Sequence, residues 1–382
     1  MAEAAPGGLA DLLEGTRSVA LVGLAKNTGK TETLAAILRE LEECRRCVGV
    51  TSIGRDGEAH DVIDARISKP RIVLREGSLV ASTDALVRAS GLAHELLERT
   101  GVRTPLGEVV VARLAEGGAV EVAGPSAGED LARVSDTMLS HGAGQVLIDG
   151  SIDRRAASSP TVADGLVIAT GAVLGEELEQ VVAATRDAVE LVRLPLAGAR
   201  PADAGARPAD ASAMPADADA GPADADAGPA DIDAGPADAS NDGLAGPTLA
   251  RRLVLGAEPG EIAALLREHP RASTFHVEGA LSERFLEGLL AARTARAGRE
   301  LRIVVGDPTK VFLTHRGAGW YRRQGLSIEV RRTIELKAIT VNPIAPQSHR
   351  FDSRRLRELI EAAIPDVPVL DVLDPSYLAL AK

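Results

Sequence analysis

Six copies of Pro-Ala-Asp, starting at residues 201, 208, 215, 222, 229 and 236, recur every seven residues within a stretch, 197–247, made almost wholly of Ala, Pro, Asp and Gly. Seven is also the interval of a coiled coil. Each copy, however, brings a proline, which breaks a helix, and no apolar pair to bury. Such a stretch cannot bury enough surface to offset the entropy of ordering it, and repulsion among its acidic groups favours an extended tether. It holds ten Asp against two Arg (Arg200, Arg207), which is −8 of the chain's net −12. On its sequence, the 382-residue chain therefore divides into a first domain at 1–196, a tether at 197–247 and a second domain at 248–382.

The acidic balance argues against a nucleic-acid duplex or an anionic membrane as partner. No apolar run approaches the roughly 20 residues of a membrane span, and no basic stretch followed by an apolar one opens the chain. The expectation is a soluble, cytoplasmic protein.

Ahead of the tether stands "VGLAKNTGKTET", Val22 to Thr33. The preceding "SVALVGL" is a short apolar run of the kind that makes a buried parallel strand. After it, Leu34, Ile37, Leu38 and Leu41 fall at helical spacing with no proline between them. A loop joining a strand to a helix start is what a phosphate cradle requires, because free backbone N–H groups and the helix dipole both favour an anion there. The expected nucleotide-binding set is Gly23, Lys26, Asn27, Thr28, Gly29, Lys30, Thr31 and Glu32. Lys30 would reach the β- and γ-phosphates, and the Thr31 hydroxyl would ligate Mg²⁺. Five residues separate Gly23 from Gly29, one more than the four of the strict pattern. The loop is wider, with its Thr-Gly-Lys-Thr core intact. Only six of the 43 basic residues are lysine, and two of them, Lys26 and Lys30, lie here. Arginine cannot replace a compact ammonium that must reach past a phosphate.

A nucleoside triphosphatase also needs a carboxylate near Mg²⁺ at the end of a neighbouring strand. "GQVLIDGS" supplies Asp149 after Val146, Leu147 and Ile148, so Lys30 and Asp149 are the expected catalytic pair. Asp56, in the loop after "VGVTSI", is a further Mg²⁺ candidate, with Glu58, Asp61 and Asp64 behind it and Arg55 as a phosphate contact. Asp56-Gly57 is equally an ordinary turn. Arg154 and Arg155 are either phosphate sensors or solvated charges. Ser159-Pro160 has the form of a helix start, and Thr170 with Gly171 borders the base or ribose. Cys44 and Cys47 have the spacing of a redox pair, but no second pair completes a zinc site, and helix-end packing explains them.

Beyond residue 248, strand and helix patterns alternate, which argues a smaller α/β domain. Glu278, Asp307, Asn342 and Asp371 stand at strand ends, and Lys310 lies just past one. Trp320 and Tyr321, beside two arginines, suit either a partner surface or packing. All seven aromatic residues follow the tether, so the first domain is expected to hold a base with aliphatic and backbone groups.

Taken together, "GLAKNTGKTET", "TSIGRDGE", "SKPRI", "LIDGSIDRRAASSP", "VIATGA", "AITVNP" and "PDVPVLDV" resemble the reactivase subunit of the adenosylcobalamin- and pyridoxal-phosphate-dependent lysine aminomutase. The resemblance spans both folded parts and not the tether. It implies an α/β fold with a P-loop nucleoside-triphosphatase domain, bound ATP and Mg²⁺, weak ATPase activity, and rescue of a cobalamin-dependent aminomutase with a second ATPase subunit. Lys30, Thr31 and Asp149 match that family's nucleotide motif. The wide glycine spacing is also similar to dethiobiotin synthetase and related ligases, which implies instead the phosphorylation of a small carboxylic acid.

Overall fold

The computed structural model describes residues 8–54, 71–151, 155–199, 246–249, 251–256, 258–292, 300–346, 348–375 and 377. Asp56 with Arg55, Glu58, Asp61 and Asp64, the residue Arg154, and nearly all of the expected tether lie outside them.

The chain is mixed α/β. A short helix α1 (Leu9–Leu12) leads into β1 (Ser18–Gly23), α2 (Lys30–Glu43) and β2 (Val48–Ser52). There follow β3 (Ile72–Leu74), β4 (Leu79–Thr83), α3 (Asp84–Ala89), β5 (His94–Thr104), β6 (Gly107–Leu114), β7 (Gly118–Val120), α4 (Gly128–Ser140), β8 (Gln145–Ser151), β9 (Gly165–Gly171) and α5 (Leu178–Val192). Next come β10 (Thr248–Leu249), α6 (Arg251–Gly256), α7 (Pro259–Glu268), β11 (Thr274–Val277), β12 (Leu281–Ser282), α8 (Glu283–Ala292), β13 (Leu301–Val305), β14 (Val311–Phe312), α9 (Ala318–Arg323) and β15 (Leu326–Val330). The described chain closes with β16 (Glu335–Asn342), α10 (Ser353–Ala363) and β17 (Val369–Leu370).

Nine strands form one large sheet in the order β17-β16-β9-β1-β8-β2-β4-β6-β5, parallel except at the β4-β6-β5 end. Parallel sheets are covered on both faces, and their strands read as apolar runs. Accordingly β1, β2, β4 and β9 are buried at every residue. Alternate residues feed two cores: Ala20 and Val22 one, Val19 and Leu21 the other. A second, four-stranded parallel sheet, β10-β11-β13-β15, carries its own core around Phe275, Phe285 and Tyr321.

Two parts of the expected domain division are corrected. Residues 335–372 were assigned with the second domain, yet β16 pairs parallel with β9 from Glu335↔Gly165 to Asn342↔Gly171, and β17 pairs with β16. The reason is physical: β9 would otherwise present an open edge, and an apolar strand buried on both faces satisfies its backbone only between two others. Leu194 and the bridge Leu196↔Val330 already belong to the small sheet, before the repeat begins. The Ala197 N–H donates to the Val330 carbonyl at 2.7 Å, and the Val330 N–H to the Pro195 carbonyl at 2.9 Å. The repeat therefore leaves one edge of the small sheet, at residue 197, and the chain re-enters at the opposite edge, β10. The described flanks of the repeat thus lie in one lobe, at opposite edges of its sheet, and not in two lobes.

The lobes pack directly. The Glu190 carboxylate of α5 accepts the Gly319 N–H at 3.2 Å at the start of α9, and Ser159 Oγ donates to Asp307 at 3.3 Å. Among the described residues no helix is long and apolar enough to cross a membrane.

Candidate functional site

The Gly23–Lys30 loop leaves the end of β1, a central strand flanked by β9 and β8. Its first amide is tied down, the Leu24 N–H donating to the Ala169 carbonyl of β9 at 3.0 Å. The loop then turns through two left-handed residues, Asn27 at φ +66° and Gly29 at φ +86°. Asn tolerates that region and glycine enters it without cost, which explains both residue types. Thr28 is buried and its hydroxyl donates to the Ala25 carbonyl at 3.0 Å, closing the turn. At Gly23, an added Cβ would lie 2.6 Å from that hydroxyl, so the loop closes only over a hydrogen. The Thr28 side chain thus braces the loop from within, which leaves its backbone N–H, and not its hydroxyl, as the group it could offer to a ligand.

Helix α2 starts at Lys30 with Gly29 as its cap residue and no side-chain cap. The N–H groups of its first turn are therefore free for an anion. Lys30 Nζ forms an ion pair with the Asp149 carboxylate, the side chains being about one quarter exposed, at 25% and 29%. Asp149 lies opposite Leu21 on β1 and Ser52 on β2, one strand over from the loop. The structure thus brings Lys30 and Asp149 together as the sequence reading expected. A partly exposed ion pair contributes on the order of 1 kcal/mol or less, so either partner is readily exchanged for a phosphate or a cation. Thr31, Glu32 and Lys26 are exposed on the same mouth.

The donor set fits a nucleotide polyphosphate with magnesium. It offers an ammonium, a row of uncapped amides, a hydroxyl and a carboxylate around a turn where a Cβ has no room. Magnesium is commonly held by one or two carboxylates plus phosphate oxygens. Among the described residues no group of three or more His, Cys, Asp or Glu gathers to hold a metal alone. Thr31 and Asp149 are the described residues that would ligate the ion; Asp56 lies outside them.

Sequence reasoning placed one contributor elsewhere. Asn342, at the end of β16, donates from Nδ2 to the Asn27 carbonyl at 2.8 Å and accepts the Ile344 N–H at 3.1 Å. Two residues earlier on the same face of the strand, the Thr340 hydroxyl meets the Thr33 hydroxyl of α2 at 2.7 Å. The only sequence signal was a polar residue closing an apolar run.

Other expectations change as well. Thr170 is fully buried and bonded to Thr185 of α5 at 2.7 Å, so it serves the core instead of bordering a base. Ser159-Pro160 opens no helix: the chain makes a 3-10 turn at Arg155–Ser158, and Ser159 is the hinge of the next turn. Asp307, at its strand end, caps a short 3-10 turn by accepting the Thr309 N–H at 2.9 Å. Phe351 and Tyr377 join the large lobe's cores, so that lobe is not free of aromatic residues. Tyr321 is packing: it is fully buried and bonded to Glu283 at 3.1 Å. Cys44 is exposed at the end of α2 and Cys47 half-buried, both as free thiols. Comparison of the chain with family models, with curated proteins and with solved structures gives no match.

Proposed function

We propose that this chain binds MgATP at the mouth of α2 and works as an ATP-dependent reactivating or assembly factor for a cobalamin-dependent aminomutase, alongside a second ATPase subunit. The nucleotide half of this reading is supported by one observation above all: Lys30 and Asp149 converge beside a left-handed Gly29 turn that opens onto uncapped helix amides. The partner half is supported by the resemblance of the quoted motifs to aminomutase reactivases.

Bound MgATP supplies a phosphoanhydride whose cleavage releases free energy. The chain's own residues do the rest. With MgATP bound, Lys30 would exchange Asp149 for the terminal phosphates, the first amides of α2 would hold the anion, and Asp149 with Thr31 would hold the cation. The lobes are in direct contact through Ser159–Asp307 and Glu190–Gly319.

Calorimetric titration with MgATP tests the site. Lys30→Ala is expected to weaken binding at least about tenfold, as removal of a charge-assisted contact to phosphate should; unchanged affinity would refute it. ATP turnover measured with and without a cobalamin-dependent aminomutase tests the partner, stimulation being expected. Consumption of ATP that depends on a small carboxylic acid alone would replace this reading with that of a ligase.

A further inference from the structure

The strand that reaches the Gly23–Lys30 loop last in sequence governs its shape. β16 arrives from the small lobe and lays Thr340 and Asn342, which share one face of the strand, against α2 and the loop. Asn342 Nδ2 holds the Asn27 carbonyl at 2.8 Å, while its Oδ1 is fixed by the Ile344 N–H. Contact is close all round: a Cβ on Gly29 would lie 3.0 Å from Asn342 Cβ, and one on Gly171 would lie 2.3 Å from the Asn342 carbonyl oxygen. In a trans peptide plane the C=O of Asn27 and the N–H of Thr28 point in opposite directions. Holding that oxygen outward therefore fixes the Thr28 amide on the other side, and with it the pair of left-handed residues that give the loop its concave row of N–H groups.

We infer that Asn342 is a positioning residue for polyphosphate: it sets the loop amides through the Asn27 carbonyl and does not act by touching the base. This rests on the MgATP reading. Without Asn342 the Asn27–Thr28 peptide is free to rotate, and the loop must be ordered by the ligand at the expense of affinity.

The test uses the full chain and two probes, MgATP and magnesium tripolyphosphate, which shares the phosphates and lacks base and ribose. Asn342→Ala is expected to weaken both by the same factor, about tenfold for one loop-ordering hydrogen bond, with an unchanged unfolding midpoint. Asn342→Ser keeps an acceptor for the Ile344 N–H but cannot reach Asn27, and should lose as much. Loss confined to MgATP would show a base contact and overturn the assignment, as would unchanged affinity for both probes. A wild-type chain that binds both, with Lys30→Ala weakened and Asn342→Ala not, overturns only the role of Asn342. A wild-type chain that binds neither overturns the MgATP reading and this inference together.

Discussion

Glu283 has no part in the nucleotide reading, yet its carboxylate gathers five hydrogen bonds in the small lobe. It accepts the N–H groups of Thr314, His315 and Arg316 at 2.6–2.8 Å, the Thr314 hydroxyl at 2.6 Å and the Tyr321 hydroxyl at 3.1 Å. Burial by itself would raise its pKa, but these donors outweigh it and bring the group down from 4.5 to about 2. Burial first, and then the Glu283 charge, push Tyr321 well above the ordinary tyrosine range. A carboxyl lowered on folding stabilises the protein fully above its unfolded pKa and loses that contribution as pH falls. Here the window runs from about pH 4.5 down to about 2. Glu283→Gln, which removes the charge and turns an amide donor toward the N–H groups that one of the two carboxylate oxygens accepts, is expected to lower stability by about 3 kcal/mol at neutral pH. Denaturant unfolding at pH 7 and at pH 3 checks it: the difference from wild type should shrink at the lower pH. No pattern in the sequence announced this residue, because its partners lie about 30 residues away and are mostly backbone. The place of Lys30 at the start of α2 was legible for the opposite reason, since a strand-to-helix turn is written in neighbouring residues.

At the scale of elements, α2 was read from its apolar spacing, and Leu34, Ile37 and Leu41 are indeed buried. The helix has no side-chain cap and no basic residue in its last turn. Its position, and that of the loop before it, depends on packing against the sheet. Ile37→Ala is expected to cost about 2–4 kcal/mol through the cavity it leaves, and thermal unfolding measures it. Nucleotide affinity should fall less than for Lys30→Ala if the helix mouth survives. β16 shows the limit of such reading. Its apolar run identified a strand, but a strand's partner is set by which sheet edge is open, and both sheets offered one. Two-faced burial against β9 decided the matter.

At the scale of the whole molecule, the composition of the repeat misled on the domain division, because a low-complexity segment looks like a boundary between domains. Its flanks show otherwise: both enter the small sheet, at its opposite edges. Four strand-to-strand steps separate residue 196 from β10 in that sheet, a span of about 20 Å at about 4.8 Å per step. Some six extended residues could bridge that distance at about 3.4 Å each. Replacing residues 201–244 by a Gly/Ser segment of about 15 residues is therefore expected to leave the unfolding midpoint within a few degrees of wild type. Calorimetric scanning tests this, and loss of the small lobe's transition would show that the repeat does more than connect. If lobe docking transmits the nucleotide state, that transmission should also survive the replacement, because the contacts Ser159–Asp307 and Glu190–Gly319 lie elsewhere.

By itself, the sequence determined the α/β alternation, the buried parallel strands, the strand-to-helix turn that places Lys30 at a helix start, and Asp149 on a neighbouring strand. These are encoded by residues close together in the chain, where spacing alone fixes geometry. Only the tertiary structure decided that residues 335–370 return to the first sheet, that both flanks of the repeat enter one sheet, and that Asn342 braces Asn27. Those outcomes depend on partners that lie from 134 (Leu196↔Val330) to 315 (Asn27–Asn342) residues apart, and hydrogen bonding between distant segments leaves no periodicity to read.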